Sequence, residues 1–193
     1  MASAHRAVSS ESEELILVDE NDNEAGYLSK ALAHDGGGIL HRAFSVFLFN
    51  DNGELLLQRR AASKRLWPQF WSNSCCSHPR RGESLELATQ RRLQDELNVH
   101  AELEYVYKFS YQADFGNLGA EHELCHVYLG KIHDEVQAND QEIDSIRFVS
   151  VVDLEAEFES ARDQFTPWFL MEWDALRTDH RAKLRRYVDL QGR

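Results

Sequence analysis

Two carboxylates in the second half of the chain form the first group of residues whose spacing could support chemistry. Glu121 and Glu123 open a strand-like stretch whose alternate positions continue as Cys125, Val127 and Leu129. Since alternate residues of a strand share one face, both carboxylates are expected on an inward-facing side. Two buried like charges require a cation or a proton to compensate them. The alternative is that the strand end is solvated and both glutamates lie in water.

Three histidines could complete such a site. His34 and His41 flank a glycine loop, and His78 precedes a predicted helix. With the two glutamates they would form a mixed nitrogen and oxygen donor set, which suits an octahedral Mn, Fe or Zn site. Each histidine taken alone is typical of an ordinary surface or core residue. A zinc knuckle built on Cys75, Cys76 and His78 competes with this interpretation, but it lacks a second cysteine pair.

The predicted helix Ser84–Leu97 carries the next candidates. Asp95 and Glu96 lie near its carboxyl end, where the helix dipole disfavours negative charge. Carboxylates placed against the dipole indicate a nearby cation. A plain amphipathic helix is the alternative interpretation of this segment.

The same segment approaches the Nudix box, Gly-x5-Glu-x7-Arg-Glu-U-x-Glu-Glu-x-Gly-U, in which U is a bulky aliphatic residue. The sequence departs from the box at four positions, with Ser77 for the first Gly, Arg92 for Glu, Asp95 for Glu and Asn98 for the last Gly. In the Nudix family the box carboxylates hold Mg²⁺ against a diphosphate. The arginine at position 92 disfavours ordinary Nudix hydrolysis and suits holding a diphosphate.

Hydrophobic patterning predicts the elements that must position these residues. The predicted strands are Leu15–Val18, Arg42–Asn50, Glu54–Arg60, Ala101–Ala113, Glu121–Lys131 and Ile143–Val149. The predicted helices are Leu28–Ala33, Ser84–Leu97 and two segments after Pro167 and Asp179. Residues 61–80 are predicted to be mostly loop, and residues 1–12 a disordered tail. Strands interleaved with helices indicate one α/β domain with a mixed sheet.

The strand Ala101–Ala113 shows the clearest alternation of side chains. One face is predicted to carry Leu103, Tyr105, Tyr107, Phe109 and Tyr111. Charged and polar residues occupy the other face, so the strand is expected to be half buried. On the pattern alone, Tyr111 is typical of an ordinary core tyrosine.

The composition excludes several classes of protein. Among the 193 residues, 33 are acidic and 21 basic, and the formal charge of −12 would repel a nucleic acid backbone. No apolar run is long enough to span a membrane, and the first ten residues lack the apolar stretch of a secretory signal. Three cysteines, an odd number with two adjacent, fit no disulfide framework and favour a reducing cytoplasm.

Several ordered blocks of the sequence closely resemble type 1 isopentenyl-diphosphate Δ-isomerase, an enzyme of the Nudix fold. The blocks are Lys30-x3-His34, His41-Arg-Ala-Phe-Ser, Arg59-Arg60-Ala-x-Ser-Lys64, Trp67-Pro68-x2-Trp71-x-Asn73-Ser74-x-Cys76-x-His78-Pro79, Glu121-x-Glu123-x-Cys125 and Pro167-Trp168. The resemblance runs from about Leu15 to Trp173. It implies a single α/β domain over residues 13–193, with a Nudix-like mixed β-sheet sandwiched between helices.

The resemblance also implies an activity and a set of site residues. The family interconverts isopentenyl and dimethylallyl diphosphate by protonation and deprotonation through a carbocation, in isoprenoid biosynthesis. The implied catalytic residues are Cys76, Glu123, Tyr111 and Trp168, with Cys75 a bystander, and the implied diphosphate contacts are Lys30, Arg60, Lys64 and Arg92. The implied ligands of one Mn²⁺ or Zn²⁺ are His34, His41, His78, Glu121 and Glu123. Glu96 would help to hold Mg²⁺ on the substrate diphosphate, and the Cys76 backbone could contribute.

Two other functions stay open at this point. A Nudix diphosphate hydrolase is disfavoured by the departures from the box and by Cys76. A non-catalytic metal-binding or diphosphate-binding module is disfavoured by the complete set of Cys76, Glu123 and Tyr111. The expected partner is a small diphosphate rather than a nucleic acid or a membrane, and the oligomeric state is left open.

Overall fold

The structure, a computed structural model, describes residues 8–188. Within them lie the strands β1 (Glu14–Val18), β2 (Glu24–Ser29), β3 (His41–Phe49), β4 (Leu55–Arg60), β5 (Trp71–Ser72), β6 (Cys75–Ser77), β7 (Leu103–Asp114), β8 (Ala120–Lys131) and β9 (Ile143–Val149). The helices are α1 (Lys30–Ala33), α2 (Leu85–Leu97), α3 (Val151–Ala161), α4 (Pro167–Arg177) and α5 (Arg181–Leu184). None of these helices is long and apolar enough to cross a membrane.

Strand β3 is the centre of a mixed sheet. It runs parallel to β8 along its whole length and antiparallel to β6. It meets β1 and β4 at single residue pairs, Leu17 with His41 and Phe49 with Leu55. On its other edge β8 pairs with β7, while β4 pairs with β5 and β9. The mixed sheet of an α/β domain, expected from the sequence, is confirmed.

Helices cover both faces of this sheet. On one face, Phe44 and Val46 of β3 belong to the apolar cluster that contains Leu93 of α2. On the other face, Phe47 packs against Phe169 of α4. Because neighbouring residues of β3 contribute to two different cores, nearly the whole strand is buried. This arrangement confirms the expected sandwich of a sheet between helices.

Helix α2 begins and ends at residues suited to capping. The Ser84 side chain accepts a hydrogen bond from the Leu87 N–H at 3.2 Å, which satisfies one free donor of the first turn. Asn98, where the Nudix box has glycine, adopts a left-handed conformation with φ of 55° after the last turn. Asparagine tolerates this conformation better than most residues other than glycine, so the departure from the box preserves the backbone.

The prediction that five residues of β7 share one face is wrong for Leu103 and Tyr105, which lie on the face opposite to Tyr107, Phe109 and Tyr111. The pairing of β7 with β8 shifts between Tyr105 and Tyr107, which makes Val106 an extra residue in β7. Val106 is buried in the core, whereas Tyr105 is 45% exposed. A one-residue bulge exchanges the two faces of a strand. Because valine and tyrosine both favour strands, the hydrophobic pattern does not reveal the bulge.

Three other segments contain elements that the hydrophobic pattern did not predict. Leu28 and Ser29 belong to β2, so the helix at this place is confined to α1. Residues 61–80 contain the short strands β5 and β6, each too short to show an alternating pattern. Helix α3 was not predicted, and only Val151 and Leu154 of it are buried, which leaves a weak apolar stripe.

Residues 1–12 are the expected disordered tail. Its first seven residues lie outside the part of the chain that the structure describes. The remaining residues contact the domain. Ser9 Oγ accepts a hydrogen bond from Lys30 Nζ at 2.7 Å, and the Val8 carbonyl accepts one from Arg92 at 3.0 Å. Residues 8–12 therefore lie against two of the predicted diphosphate contacts.

Candidate active site

The topology brings the predicted metal ligands to one end of the sheet. β3 and β8 are parallel, so His41 at the start of β3 lies beside Glu123 near the start of β8. β6 is antiparallel to β3 and ends beside its first residues, which brings the adjoining His78 to the same end. His34 follows α1, and its carbonyl accepts a hydrogen bond from the Ala120 N–H at the start of β8 (3.0 Å).

The five predicted ligands form one compact cluster. Each contributes a ligand atom, and all five atoms lie within 4.8 Å of one another: His34, His41, His78, Glu121 and Glu123. His34 Nε2 lies 2.7 Å from Glu121 Oε2, and His78 Nε2 lies 2.8 Å from Glu123 Oε1. Both glutamates are buried, at 7% and 8% exposure, so the alternative of a solvated strand end is wrong.

Backbone carbonyls orient two of the imidazoles. His34 Nδ1 lies 2.7 Å from the Lys30 carbonyl, and His41 Nδ1 lies 2.7 Å from the Ile39 carbonyl. Because a carbonyl only accepts hydrogen bonds, each Nδ1 carries a proton, and His41 Nε2 is left to direct its lone pair into the cluster. His34 Nε2 instead donates a hydrogen bond to the Glu121 carboxylate in this structure. His41 Nε2 is buried and has no hydrogen-bond partner among residues 8–188. A buried nitrogen lone pair that faces two carboxylates fits a metal ion.

Burial and mutual proximity shift the pKa values of the cluster. Burial lowers the pKa of His41 to about 3 and lowers that of His78 well below its usual range. Burial, followed by the charge of Glu121, raises the pKa of Glu123 to about 7. Burial also opposes the charged form of Glu121, but the facing imidazoles, with His34 the largest, hold its pKa below the usual range. Burial opposes the charged form of His34, but the charge of Glu121 raises its pKa above the usual value. The neutral His41 and His78 imidazoles beside the Glu121 carboxylate are the protonation states that a divalent cation binds.

A cavity of about 230 Å³ opens beside the cluster. All four predicted diphosphate contacts line it: Lys30, Arg60, Lys64 and Arg92. Burial, followed by the nearby charges of Lys64 and Arg92, lowers the pKa of Lys30. Cations from separate elements therefore converge on one small space, which suits a polyanionic ligand.

Carboxylates neutralise part of this positive charge. Glu142, which is 3% exposed, forms ion pairs with Lys64 and with Arg92 Nη2, the latter at 3.4 Å. Glu96 accepts a hydrogen bond from Arg92 Nε at 2.7 Å and is 2% exposed. Arg92 lines the cavity, whereas Glu96 is not among the lining residues. The cations indicated by the two carboxylates at the end of α2 are thus, in this structure, arginines of the same helix: Arg92 binds Glu96, and Arg91 lies 3.9 Å from Asp95.

The predicted acid and base residues line the same cavity. The Tyr111 hydroxyl donates a hydrogen bond to Glu123 Oε2 at 2.7 Å, and Arg60 Nη1 lies 3.8 Å from Cys76 Sγ. Burial raises the pKa of Cys76 to about 12 and raises that of Tyr111 well above its usual range. Glu123 therefore belongs to the cluster of predicted ligands and also binds a tyrosine of the cavity wall.

The adjacent cysteines point in opposite directions because they are neighbours in β6. Cys76 lines the cavity. Cys75 is fully buried in the cluster beneath α2, and its thiol lies 3.7 Å from Glu96 Oε1. The alternation of a strand thus separates one cysteine on the cavity side from one in the core.

Trp168, at the start of α4, forms part of the cavity wall. Its indole Nε1 donates a hydrogen bond to Ser72 Oγ at 3.0 Å. Trp67 packs edge to face against it with ring centroids 5.2 Å apart, and the Arg60 guanidinium lies 5.2 Å from its ring centroid. These contacts fix the orientation of the ring at the cavity.

Three residues of this region were not identified from the sequence. Glu142 lies in a polar stretch typical of a solvated loop. Arg65 follows Lys64, and the motif that identified Lys64 ends at that residue. Glu172 was detectable, because it falls on the buried stripe of α4 that includes Trp168 and Trp173. An acidic residue in the apolar stripe of a helix indicates a buried carboxyl group.

Comparisons with known proteins agree with this geometry. Residues 39–169 match the NUDIX domain family. Isopentenyl-diphosphate Delta-isomerase 1 of Photorhabdus laumondii is 41% identical over 174 residues, which cover 89% of this chain and 99% of that protein. Isopentenyl-diphosphate Delta-isomerase of Serratia proteamaculans is 46% identical over 82% of this chain and 88% of its own length.

Solved structures show the same fold at low sequence identity. DR0079 from Deinococcus radiodurans superposes with a TM-score of 0.63 at 24% identity, over 77% of this chain and 90% of its own. A MutT protein from Methanosarcina mazei gives a TM-score of 0.57 at 17% identity, over 72% and 96% of the two chains. The Nudix fold expected from the sequence is confirmed.

Proposed function

Since this chain belongs to the isopentenyl-diphosphate Δ-isomerases within the NUDIX domain family, we propose that it interconverts isopentenyl diphosphate and dimethylallyl diphosphate in isoprenoid biosynthesis. The observation that carries the proposal is the shared cavity. Four cations, the Tyr111–Glu123 pair, Cys76 and Trp168 all line it. The reaction needs the same combination, namely an anion site, proton-transfer groups and a wall that tolerates a carbocation.

Proton transfer in this proposal uses two groups of the cavity. The Cys76 thiol and Glu123, supported by the Tyr111 hydroxyl, serve opposite faces of the substrate. One proton is added to the alkene, and another is removed across the allyl unit, so the net composition of the substrate is unchanged. A positioned acid or base of this kind contributes ~10²–10⁴-fold to a rate.

Trp168 would stabilise the intermediate charge. Protonation of a 1,1-disubstituted alkene generates a tertiary carbocation, which water would trap. An indole face attracts a cation without reacting with it, at about 2 kcal/mol in a desolvated site. Trp168 is only 3% exposed and its ring is held by Ser72 and Trp67, so it also excludes water.

The anionic end of the substrate would lie among Lys30, Arg60, Lys64 and Arg92. Arginine at position 92, where a hydrolase has glutamate, supports holding the diphosphate over activating water against it. We assign Mg²⁺ to the diphosphate, with the Cys76 backbone and Glu96 as protein ligands. Glu96 can take this part once the Arg92 guanidinium, which binds it in this structure, turns to the diphosphate. We assign one Mn²⁺ or Zn²⁺ to the cluster of His34, His41, His78, Glu121 and Glu123. Bound there, a divalent cation supplies positive charge next to the Glu123 carboxylate.

One assay tests the proposal against its alternatives. The protein is incubated with isopentenyl diphosphate and Mg²⁺, and both the allylic diphosphate and released phosphate are measured. Allylic product without phosphate release is expected. Phosphate release instead would support a Nudix hydrolase, and binding without turnover a non-catalytic module. The cytoplasmic location stays a prediction from the cysteine content.

A further inference from the structure

Arg65 bridges two chain segments that lead into the metal cluster. On one side its guanidinium donates a hydrogen bond to the Ala31 carbonyl of α1 (3.1 Å) and binds the Asp35 carboxylate. On the other side Nε and Nη2 donate to the Leu118 carbonyl, at 3.1 and 2.7 Å, in the turn between β7 and β8. One side chain thus connects the end of α1 to the turn that precedes β8.

The two bridged segments touch through their backbones as well. Gly119 has φ of +141°, and a Cβ at this position would lie 2.3 Å from the His34 carbonyl oxygen. The next residue, Ala120, donates its N–H to that same oxygen at 3.0 Å. Because only glycine permits this approach, the segments meet at a fixed spacing. Their side chains continue the contact, since His34 Nε2 lies 2.7 Å from Glu121 Oε2.

Neither segment is rigid on its own account. Helix α1 has four residues, which is too short for stability without tertiary contacts. The β7–β8 turn is solvent-facing, and Leu118 at its tip is 58% exposed. The relative position of such segments depends on the few contacts between them. A planar guanidinium with five donors suits this bridging task, because it can bind several fixed acceptors at once.

We propose that Arg65 is a positioning residue for the metal site, which keeps His34 and Glu121 at ligand distance by bridging the segments that carry them. The inference rests on the metal site of the proposed function. Arg65 also lines the cavity, so a direct contact with the substrate diphosphate is the competing role. The two roles predict different losses when the side chain is removed.

Metal titration of the stripped protein tests the proposal without any substrate. Arg65→Ala, Arg65→Lys and the control Arg186→Ala are purified, stripped with a chelator and titrated with Mn²⁺ and with Zn²⁺. Arg186, which follows α5, forms an ion pair with Glu104 of β7, and it does not line the cavity. Metal affinity should fall about tenfold or more in Arg65→Ala, as for other partners that orient metal ligands. Arg65→Lys should lose less, and the control should match wild type.

A second titration, with inorganic diphosphate alone, separates the competing role. Unchanged metal affinity in Arg65→Ala, with circular dichroism showing a folded protein, would overturn the proposal. Weaker diphosphate binding at unchanged metal affinity would identify Arg65 as an anion contact and also overturn it. Failure of the wild-type protein to bind either metal would remove the metal site itself. The isomerase assay reports independently on the proposed function.

Discussion

Single side chains in this protein have opposite environments although they are adjacent in the sequence. Cys75 and Cys76 are neighbours, yet one thiol lies in the core beneath α2 and the other lines the cavity. Two glutamates show a similar contrast: Glu123 faces His78 and Tyr111, whereas the fully buried Glu172 contacts the Cys125 thiol. The chemistry of a cysteine or a glutamate here follows from the strand or helix face that carries it.

Substitution of the two cysteines should give unequal results. Cys76→Ala should lower kcat/KM by ~10²–10⁴-fold, because an acid or base group is removed from the cavity. Cys75→Ala should retain most of the activity, since this thiol does not line the cavity. Steady-state kinetics with isopentenyl diphosphate measures both variants. If Cys75→Ala were the inactive variant, the assignment of the two thiols would have to be exchanged.

Trp168 should act on the cationic intermediate rather than on the diphosphate. Trp168→Phe should keep part of the activity, and Trp168→Ala should lose more, because the π face is first weakened and then removed. Affinity for a tertiary-ammonium diphosphate should fall in the order Trp, Phe, Ala. Affinity for a non-reacting diphosphate whose hydrocarbon part carries no charge should change little. Calorimetry provides both values, and equal losses for the two ligands in folded variants would contradict the role.

Glu172 should make the stability of the protein depend on pH. Burial raises its pKa to about 8 from an ordinary 4.5, and its Oε2 has no hydrogen-bond partner within residues 8–188. Because the neutral form is favoured in the folded state, its contribution is complete below pH 4.5 and is lost as the pH rises to about 8. Glu172→Gln stays neutral throughout. At pH 8.5 it should be more stable than wild type by a few kcal/mol, on the order given by the shift.

Urea unfolding of the metal-loaded proteins between pH 5 and pH 9 measures this difference. At pH 5 the two proteins should have nearly the same free energy of unfolding, which serves as the internal control. If the difference in the free energy of unfolding between the two proteins stayed constant from pH 5 to pH 9, Glu172 would not titrate in this interval.

At the scale of elements, the directions in which β6 and β8 pair with β3 determine which side chains meet at the site. The parallel pairing of β3 with β8 places His41 beside Glu123, and the antiparallel β6 adds His78. Helix α4 is held against β5 by a hydrogen bond of Thr166 Oγ1 with Ser72 Oγ (2.9 Å), and Ser72 also binds Trp168. Strand direction and helix docking therefore determine which residues meet.

The end of α2 gives a test of how the backbone tolerates the departure from the Nudix box. Asn98 has φ of 55°, which disfavours residues with a Cβ other than asparagine and aspartate. Asn98→Gly should leave the free energy of unfolding nearly unchanged. Asn98→Ala should lower it by about 1–2 kcal/mol. Urea unfolding at constant pH measures both, and equal stability of the two variants would contradict strain at this position.

For the molecule as a whole, the cluster of three histidines and two glutamates, which could hold a metal ion, connects four separate parts of the chain. Its ligands come from the end of α1, from β3, from the loop after β6 and from β8. A cation bound only by the folded state stabilises that state by mass action. The cluster is therefore expected to contribute to folding as well as to chemistry.

Removal of the metal should lower the melting temperature. The protein as purified should contain Mn²⁺ or Zn²⁺, a chelator should lower its Tm, and the added metal should restore it. His41→Ala should contain less metal and should not respond to the chelator. Elemental analysis and thermal unfolding provide the measurements. A wild-type protein without metal, whose Tm is also indifferent to chelator and to added metal, would contradict the prediction.

The sequence by itself was sufficient to identify the α/β class, the Nudix-like sheet and the five histidines and glutamates that the structure brings together. These features depend on local patterns, such as the alternation at Glu121 and Glu123, and on ordered motifs that resemble one family. The sequence did not reveal the bulge at Val106, because its apolar neighbours fit either face of β7. Nor did it reveal α3, whose buried stripe is short.

Only the tertiary structure decided which distant groups are partners. Glu142 neutralises Lys64 and Arg92, and Arg65 joins the end of α1 to the turn before β8, across separations that no local pattern encodes. The physical reason is that burial and charge pairing depend on distances set by the whole packed chain. A polar residue in a loop has the same sequence signature whether water or a buried arginine faces it.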